Sequence, residues 1–385
     1  MTQKVGIAGI GHAKFGKRID VTLRELAYEA VTKALEDAEI NAKDIDASVI
    51  GVACEEFAAQ VSPAVLVHDY VGMGNKPVFR AEAACATGSA AIQAGWSLVK
   101  ADLADVVLVV GAETMTHLGT AKATDVIARA GDTRWEYPFG ATFPSFYAIM
   151  AKAHMNEYST TREQFSMVSV KNHMYGALNP YGHIQKTITL EEAMKSSMIC
   201  YPLNLYDCCL ISDGAAAVVL ANEEKAKKIS DTPIWLKGLG AASDTMMISE
   251  REALTELRAT RIAADKAYRM AGITAGEVDV AVVHDCFTIG EIMAYEDLGF
   301  CKKGEGGKFI EEKQSYIGGK TPINTDGGLK SKGHPLGATG VSMTIEITKQ
   351  LRGEAGKRQV NGAEIGLSHN VGQAGQYCFV HVYSR

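Results

Sequence analysis

One internal repeat constrains the fold of this chain more than any other feature of its sequence. The segment from Ala30 to Ile50 reads AVTKALEDAEINAKDIDASVI, and the segment from Ala263 to Val283 reads AADKAYRMAGITAGEVDVAVV. The two segments align without a gap, and each has the pattern of an amphipathic helix, a short acidic turn and an apolar strand. Such a match predicts a duplicated chain whose two similar α/β halves pack together.

A second pair of similar segments follows in the same order. Ala86-Thr87-Gly88 begins a helix of small residues in the first half, and Ala338-Thr339-Gly340 begins one in the second. The residue pattern predicts strands at 5–9, 47–52, 105–111 and 212–220 and a helix at 23–38. We therefore expect an N-terminal half (1–115 plus 205–232), an inserted loop domain (116–204) and a C-terminal half (233–385).

The inserted segment differs in composition from both halves, because aromatic residues, Met and Gly are dense in it. It is too apolar for a disordered region, and long insertions of this kind are usually functional. Thr160 and Glu163 have the spacing of a capping box, which predicts a helix that begins near Thr160. We expect this insert to lie over the functional site.

Composition excludes several classes of function. The chain has 385 residues, 47% of them hydrophobic, which is enough for a large core. The net charge is −6 and no basic block carries interleaved aromatic residues, so nothing indicates nucleic-acid binding. No apolar run approaches the roughly 20 residues that span a bilayer. The first residues resemble a strand and a Gly turn rather than a signal peptide, so we expect a cytoplasmic protein with no membrane partner.

The chain contains eight cysteines and no Cys-x-x-Cys pair, so we expect reduced thiols and no metal site. Cys85 differs from the others because it stands directly before a predicted helix start. Unpaired N–H groups and the helix dipole favour negative charge there, and the thiolate is the nucleophilic form of cysteine. Five others fit buried packing thiols: Cys54, Cys200, Cys208, Cys209 and Cys378.

Three histidine motifs lie far downstream of Cys85. His284 and Cys286 follow the repeated strand directly, His334 lies in a Gly-rich loop before the second small-residue helix, and His369 lies in a predicted turn between two late strands. A lone histidine is more often a core residue than a catalyst. These three, however, stand where strands meet loops, which is where ligands collect in α/β folds. The duplication also makes Cys85 and His334 pseudo-equivalent.

With these motifs in order, the chain resembles the thiolases, members of the condensing-enzyme superfamily, over essentially its whole length. The resemblance rests on the run at 84–91, on Gly-His-Pro-Leu-Gly-Ala-Thr-Gly at 333–340 and on Ser-Asp-Gly-Ala-Ala-Ala at 212–217. It implies the thiolase fold, an α/β architecture in which duplicated βαβαβαββ halves form a five-layered αβαβα sandwich. An inserted loop domain completes that fold.

Two motifs depart from the commoner thiolases. Most carry Asn-Glu-Ala-Phe where this chain has His284-Asp285-Cys286-Phe287, and Cys-x-Gly-Gly-Gly where it has residues 369–373. His-Asp-Cys-Phe is the mark of sterol-carrier-type and archaeal thiolases, in which that motif supplies the second catalytic cysteine. The resemblance therefore implies that Cys286, rather than a residue near 369, carries the proton. The division of labour between Cys286 and His369 stays open.

The resemblance implies a role for each remaining site residue. Cys85 would hold an acyl group as a thioester, and His334 would accept its proton. His284 and His334 would form an oxyanion hole for the enolate, and backbone N–H groups of Cys85 and of residues 370–372 would form another. His369, Val371 and Gly372 are expected to line the site. Asp285 is expected to face solvent or a backbone partner.

The substrates of this family are carried on coenzyme A, which implies that CoA is a substrate and that no cofactor is permanently bound. Lys330 and Lys332 are expected either to meet the CoA phosphates or to be solvated surface charges. The acyl pocket would come from the insert and from two methionines after it, with these candidates: Phe143, Phe146, Tyr147, Met246 and Met247.

Several functions remain open at this point. The favoured one is thiolytic cleavage of a bulky or aromatic 3-ketoacyl-CoA, such as benzoylsuccinyl-CoA. The alternatives are a biosynthetic acetoacetyl-CoA thiolase, a decarboxylating ketoacyl synthase, which would need no Cys286, and a non-catalytic acyl-CoA-binding scaffold. The resemblance also implies a homodimer or a dimer of dimers, with a possible small partner that combines a zinc ribbon and an OB-like barrel.

Overall fold

The computed structural model describes residues 3–385 as eleven strands and fourteen helices. The strands are β1 (Val5–His12), β2 (Ala47–Gly51), β3 (Val78–Ala81), β4 (Val106–Glu113), β5 (Met198–Cys200), β6 (Leu203–Asn204), β7 (Gly214–Asn222), β8 (Ile234–Ser243), β9 (Val280–Val283), β10 (Ile365–Gly372) and β11 (Tyr377–Ser384). The helices are α1 (Leu23–Asp37), α2 (Glu55–Ala58), α3 (Pro63–Tyr70), α4 (Thr87–Lys100), α5 (Gly119–Ala128), α6 (Phe143–Tyr158), α7 (Arg162–Gly176), α8 (Leu190–Lys195), α9 (Glu223–Ile229), α10 (Arg258–Ala271), α11 (Thr288–Asp297), α12 (Gly306–Glu311), α13 (Gly328–Ser331) and α14 (Leu336–Arg352).

The strands of the second half have the same order from the middle of the sheet to its edge as those of the first half, as a duplicated fold requires. The order β3-β2-β4-β7-β1 in the first half meets β8-β11-β10-β9 in the second. In each half the inner pairs are antiparallel and the outer strands are parallel. The halves join where β1 pairs with β8, with Gly6 opposite Trp235. The predicted duplication is therefore confirmed.

The helices lie in three layers around these strands. Helix α1 packs on β1 and β7, helix α10 packs on β8 and β11, and helices α4 and α14 lie between the two halves. Strand β4 is wholly buried because helices cover both of its faces, which explains its unbroken run of β-branched residues. These layers confirm the predicted α/β thiolase fold.

The two central helices approach each other closely near their first turns. A Cβ atom on Gly88 would lie 2.7 Å from the backbone nitrogen of Gly340. A Cβ atom on Gly340 would lie 2.2 Å from the backbone nitrogen of Ser89. Only glycine permits this crossing at either position. The contact fixes the starts of α4 and α14, which carry Cys85 and His334 just upstream, on facing sides of one centre.

The region 116–204 is more ordered than the predicted loop domain. It contains helices α5 to α8 and the two-stranded sheet β5–β6. The helix expected near Thr160 begins one residue later than predicted. The Thr161 hydroxyl accepts the backbone N–H of Gln164, and the Gln164 side-chain oxygen accepts the backbone N–H of Thr161. Within the described residues, no helix is both long enough and apolar enough to cross a membrane.

Candidate active site

Cys85 lies in a tight turn between strand β3 and helix α4. The turn spans Ala84–Ala86, and Ala84 has a φ of +50°, an uncommon conformation for a residue with a side chain. The hydroxyl of Thr87 accepts the backbone N–H of Ala83 at 3.0 Å and closes the turn. Cys85 as a whole is 8% exposed. The strained turn thus presents one cysteine at the start of the central helix.

Cys286 arrives from the second half of the fold. Strand β9 ends at Val283, and the next residues leave the sheet toward the cavity. The Tyr147 ring stacks on the Phe287 ring with centroids 4.6 Å apart. The Tyr147 hydroxyl donates to the carbonyl of Gln373 at 3.2 Å and lies close enough to Cys286 to lower the pKa of its thiol. Helix α6 of the inserted region therefore packs directly against the second cysteine.

One cavity of about 390 Å³ brings three of the four catalytic candidates together, because Cys85, Cys286 and His334 line it, whereas His284 does not. The rest of its wall is mostly apolar and comes largely from the inserted region and the segment after it, including Phe143, Ile199, Leu205, Leu210, Ile211 and Phe287. A second cavity of about 380 Å³ also contains Cys85. Phe143, Leu336 and Gln373 belong to both walls. The two cavities thus meet at Cys85.

Hydrogen bonds assign the tautomer of His284. The side-chain amide of Asn370 donates to the Cys85 carbonyl at 3.2 Å, which identifies its nitrogen. The same NH₂ group lies 3.0 Å from Nδ1 of His284, so Nδ1 is the acceptor. Nε2 then carries the hydrogen, and among residues 3–385 it has no hydrogen-bond partner. His284 therefore offers a free N–H donor.

The same reasoning gives His334 the opposite tautomer. The Thr339 hydroxyl donates to the Pro335 carbonyl at 2.9 Å, so its oxygen is an acceptor toward Nδ1 of His334 at 2.7 Å. Nδ1 carries the hydrogen, and Nε2 is a bare lone pair without a partner in the described chain. The two imidazole rings meet edge to face with centroids 5.1 Å apart. One histidine is thus a donor and the other a base.

Burial determines the charge of these groups. It raises the pKa of the Cys85 thiol to about 12 and raises that of Cys286 above its usual range, where the Tyr147 hydroxyl opposes it. In the resting protein, burial therefore opposes the preference of a helix start for negative charge on Cys85. Burial, with the charges of Lys332 and Lys330, lowers the pKa of His334 to about 3. The resting site holds neutral thiols and a neutral imidazole.

The predicted acyl-pocket residues lie in different places. Phe143 lines both cavities and Met246 lines the second, whereas Met247 lines neither. Phe146 is buried and packs edge to face on Phe143, with centroids 5.6 Å apart. Tyr147 is buried against Cys286, as described above. Phe146 therefore supports Phe143 from behind, and Met247 lies outside both cavity walls.

The segment expected to be a turn near residue 369 is part of strand β10. Because side chains alternate along a strand, His369 and Asn370 point to opposite faces. Nε2 of His369 lies 2.9 Å from the Thr260 hydroxyl, and Nδ1 accepts the His284 backbone N–H at 3.4 Å. His369 therefore does not line the cavity, and neither do Val371 and Gly372; Gly372 packs beside the carbonyl of Ala83.

Both expectations for the two lysines are wrong. Lys330 and Lys332 are 1% and 2% exposed, so neither reaches a CoA phosphate at the surface or stands in solvent. Lys332 forms a buried ion pair with Asp326. Asp285 is also buried, and its carboxylate accepts the backbone N–H of Leu329 at 2.7 Å, so the backbone partner was the correct alternative.

Sequence reasoning missed residues that line the cavity or orient its catalytic side chains. Asn370 orients His284, and strand alternation within the quoted motif was the signal that could have revealed it. Gln373 lines both cavities. Cys208 and Cys209, expected to be packing thiols, line the cavity beside Cys286, and the N–H of Cys209 donates to the Cys286 carbonyl at 2.8 Å. Nothing in their spacing indicated this position.

Comparisons with known proteins match this chain over nearly its whole length. The family model described as "Thiolase, N-terminal domain" matches residues 5–224, and "Thiolase C-terminal domain-like" matches residues 240–385. An acetyl-CoA acetyltransferase of Methanothermobacter thermautotrophicus is 45% identical over 99% of both chains. Sterol carrier protein 2 of Bos taurus is 36% identical over 97% of this chain and 71% of its own length.

A solved structure titled "Ltp2-ChsH2(DUF35) aldolase" superposes with a TM-score of 0.87, at 27% identity, over 99% of this chain and 97% of the other. The family models together cover nearly the whole described chain. The arrangement of Cys85, Cys286 and His334 therefore lies in a protein that belongs to the thiolase family of acyltransferases.

Proposed function

We propose that this enzyme cleaves a 3-ketoacyl-CoA by thiolysis through an acyl thioester on Cys85. The observation that carries the proposal is the single cavity lined by Cys85, Cys286 and the bare Nε2 of His334. Coenzyme A is then a substrate, and no permanently bound cofactor is needed. The assigned tautomers give each group one role.

In the first half-reaction, Cys85 Sγ attacks the 3-keto carbon while its proton passes to Nε2 of His334. A concerted transfer suits the resting site, because a free thiolate is disfavoured there by burial. The bond between C2 and C3 then breaks and leaves the acyl group on Cys85. The electron pair of that bond becomes the enolate of the departing acyl-CoA, whose oxygen the N–H of His284 stabilises.

Cys286 completes this half-reaction by giving its proton to C2 of the enolate, which releases the shortened acyl-CoA. In the second half-reaction, the Cys286 thiolate takes the proton of a free CoA thiol. The CoA sulfur attacks the thioester carbon and expels Cys85, which recovers its proton from His334. Both acid–base residues return to their starting states. The reverse sequence is Claisen condensation.

Mass spectrometry tests the intermediate. The protein, mixed with a 3-ketoacyl-CoA in the absence of free CoA, should gain one acyl mass on the peptide that contains Cys85. Cys85→Ala should abolish the adduct, and Cys286→Ser should reduce thiolysis by about 10²–10⁴-fold. Cys301→Ser is the matched control, because Cys301 does not line this cavity. Unmodified protein that binds CoA tightly would instead support a scaffold.

For the acyl group, the largely apolar wall of the cavity supports a bulky or aromatic substrate such as benzoylsuccinyl-CoA. Acetoacetyl-CoA synthesis is the second candidate, and the 45% identity to an acetyl-CoA acetyltransferase favours it. A panel of 3-ketoacyl-CoAs distinguishes the two. Higher kcat/KM for aromatic members supports degradation, whereas preference for acetoacetyl-CoA supports the biosynthetic role.

Two further proposals concern assembly. Strand β3 is an edge of the sheet just before Cys85, and the Phe79 side chain on it is 49% exposed. Pairing of this edge with a second copy would form the homodimer. The solved structure at 27% identity names a second component, ChsH2(DUF35), which supports a small partner protein for this chain as well. Light scattering and co-purification test these two points separately.

A further inference from the structure

Lys330 lies in the short helix α13 with its ammonium group behind Cys286 rather than at the surface. Its Nζ donates to the backbone carbonyl of Asp207 and, at 3.3 Å, to that of Cys286. The ammonium also lies 5.8 Å from the centre of the Phe287 ring. One side chain therefore connects the segment that follows the inserted region, the segment after β9 and the Gly-rich loop.

The charge of this side chain is not used up in an ion pair. Within residues 3–385, no carboxylate oxygen lies within 4.0 Å of the Lys330 Nζ. Two acids, Asp207 and Asp285, are buried nearby. The Asp207 carboxylate accepts the Asn204 N–H at 2.8 Å. The Asp285 carboxylate accepts the Asn172 amide at 2.8 Å as well as the Leu329 N–H. Those acids are thus held by other donors.

The groups that face Cys286 come from five parts of the chain. They are Tyr147 on α6, Cys85 before α4, Cys209 before β7, Lys330 on α13 and the adjacent Asp285. Burial is the main cause that raises the pKa of Cys286, and Cys85 and Asp285 add to it. Tyr147 and Lys330 oppose it. Lys330 is therefore the one positive charge in this set.

The same cation lowers the pKa values of His284 and His334, which is the direction that their proposed roles require. A nearby positive charge disfavours an imidazolium just as it favours a thiolate. After burial, Lys330 is among the causes that lower the pKa values of His284 and His334. It thus helps to keep the donor and the base neutral.

We propose that Lys330 is a positioning residue whose buried ammonium, anchored on two backbone carbonyls, stabilises the thiolate of Cys286 that forms when this cysteine gives up its proton. The proposal deepens the function proposed above, in which Cys286 exchanges a proton with C2. This stabilisation depends on the positive charge of Lys330 and not only on its hydrogen bonds. Removing the charge alone should therefore change the acidity of Cys286.

The test measures the acidity of Cys286 directly and needs no substrate. Iodoacetamide alkylation is followed at a series of pH values, and peptide mass spectrometry reports each cysteine separately. In Lys330→Met and Lys330→Gln, alkylation of Cys286 should slow about tenfold or more at pH 8 and its midpoint should move to higher pH. Lys330→Arg, which keeps the charge, should restore the native profile.

Internal and structural controls come from the same samples. Cys54, which lines the other cavity, should keep its alkylation profile in every variant. Circular dichroism and thermal melting check the fold. The proposal is overturned if Cys286 alkylation does not depend on pH in the native protein, if neither neutral variant moves the midpoint, or if Gln restores the native profile.

The effect of the Lys330 variants on Cys286 alkylation can be measured whether or not the protein catalyses thiolysis. If thiolysis were not the reaction, the acyl adduct on Cys85 would be missing while the Lys330 effect on Cys286 alkylation could still be measured. Conversely, an unchanged alkylation profile would remove the role of Lys330 and leave the acyl-enzyme experiment intact.

Discussion

Replacing Gly88 with alanine should separate the two central helices and impair catalysis more than stability. The new Cβ atom would lie 2.7 Å from the backbone nitrogens of Gly340 and Val341 and 2.9 Å from the Gly337 carbonyl oxygen. All three atoms are backbone, so no side chain can rotate away. To reach about 3.4 Å, the helices must move apart by roughly 0.7 Å.

The magnitude follows from two opposing effects. Overpacking of this kind costs up to about 3 kcal/mol, and alanine regains about 1 kcal/mol through its better helix propensity. The net loss is about 2 kcal/mol, or a fall in Tm of roughly 2–3 °C for a chain of this length. The same displacement separates Cys85 from His334, which should lower kcat/KM by roughly 10- to 100-fold.

Thermal unfolding and thiolysis kinetics check both numbers. Gly276→Ala is the matched control, because a Cβ atom there meets nothing closer than the Thr274 hydroxyl at 3.9 Å. The control should retain full activity. If Gly88→Ala also keeps kcat/KM within twofold of the native value, the glycine crossing does not hold the geometry of the nucleophile and the reasoning fails.

Other predictions follow from single contacts. In the described chain, neither ring nitrogen of His381 has a partner, and burial lowers its pKa to about 3. Because the unfolded chain binds the proton first, the native protein should lose about 1 kcal/mol between pH 7 and pH 5.5 through this residue, a loss that His381→Leu should remove in urea titrations. Asn370→Ala removes the donor to the Cys85 carbonyl and His284, so kcat should fall about 100-fold with intact CD; unchanged kcat would contradict the tautomer assignment. Phe143→Ala should open the wall between the two cavities, raise kcat/KM for long acyl chains relative to acetoacetyl-CoA, and cost about 3 kcal/mol of stability in denaturation; an unchanged substrate ratio would show that Phe143 does not separate them.

The sequence predicted features that depend on periodicity and on repeated motifs. The helix at 23–38 and the strand at 47–52 agree closely with α1 and β2, because apolar spacing alone defines them. The duplication also indicated that the Cys85 and His334 segments would face each other. The cavity containing both, with Cys286, is the geometry that this reasoning expected.

Features that depend on tertiary environment could not be predicted in this way. Lys330 and Lys332 look like surface charges in the sequence, since only the packed structure reveals the carbonyls and the Asp326 carboxylate that receive them. The turn predicted at residue 369 was wrong because Asn370 and Gly372 are typical turn residues, whereas pairing with β11 keeps them in a strand. Desolvation of Cys85 likewise has no local sequence signal.

The glycine crossing between α4 and α14 also bears on how such a site could arise. A single unit of this kind would leave its glycine-bearing helix exposed, so it would need an identical copy across a twofold axis to cover that helix. In such an assembly, both helix starts would present the same residues at matching positions. Fusion into one chain lets the two starts differ, so a thiol can stand one residue before the first Ala-Thr-Gly sequence and an imidazole four residues before the second.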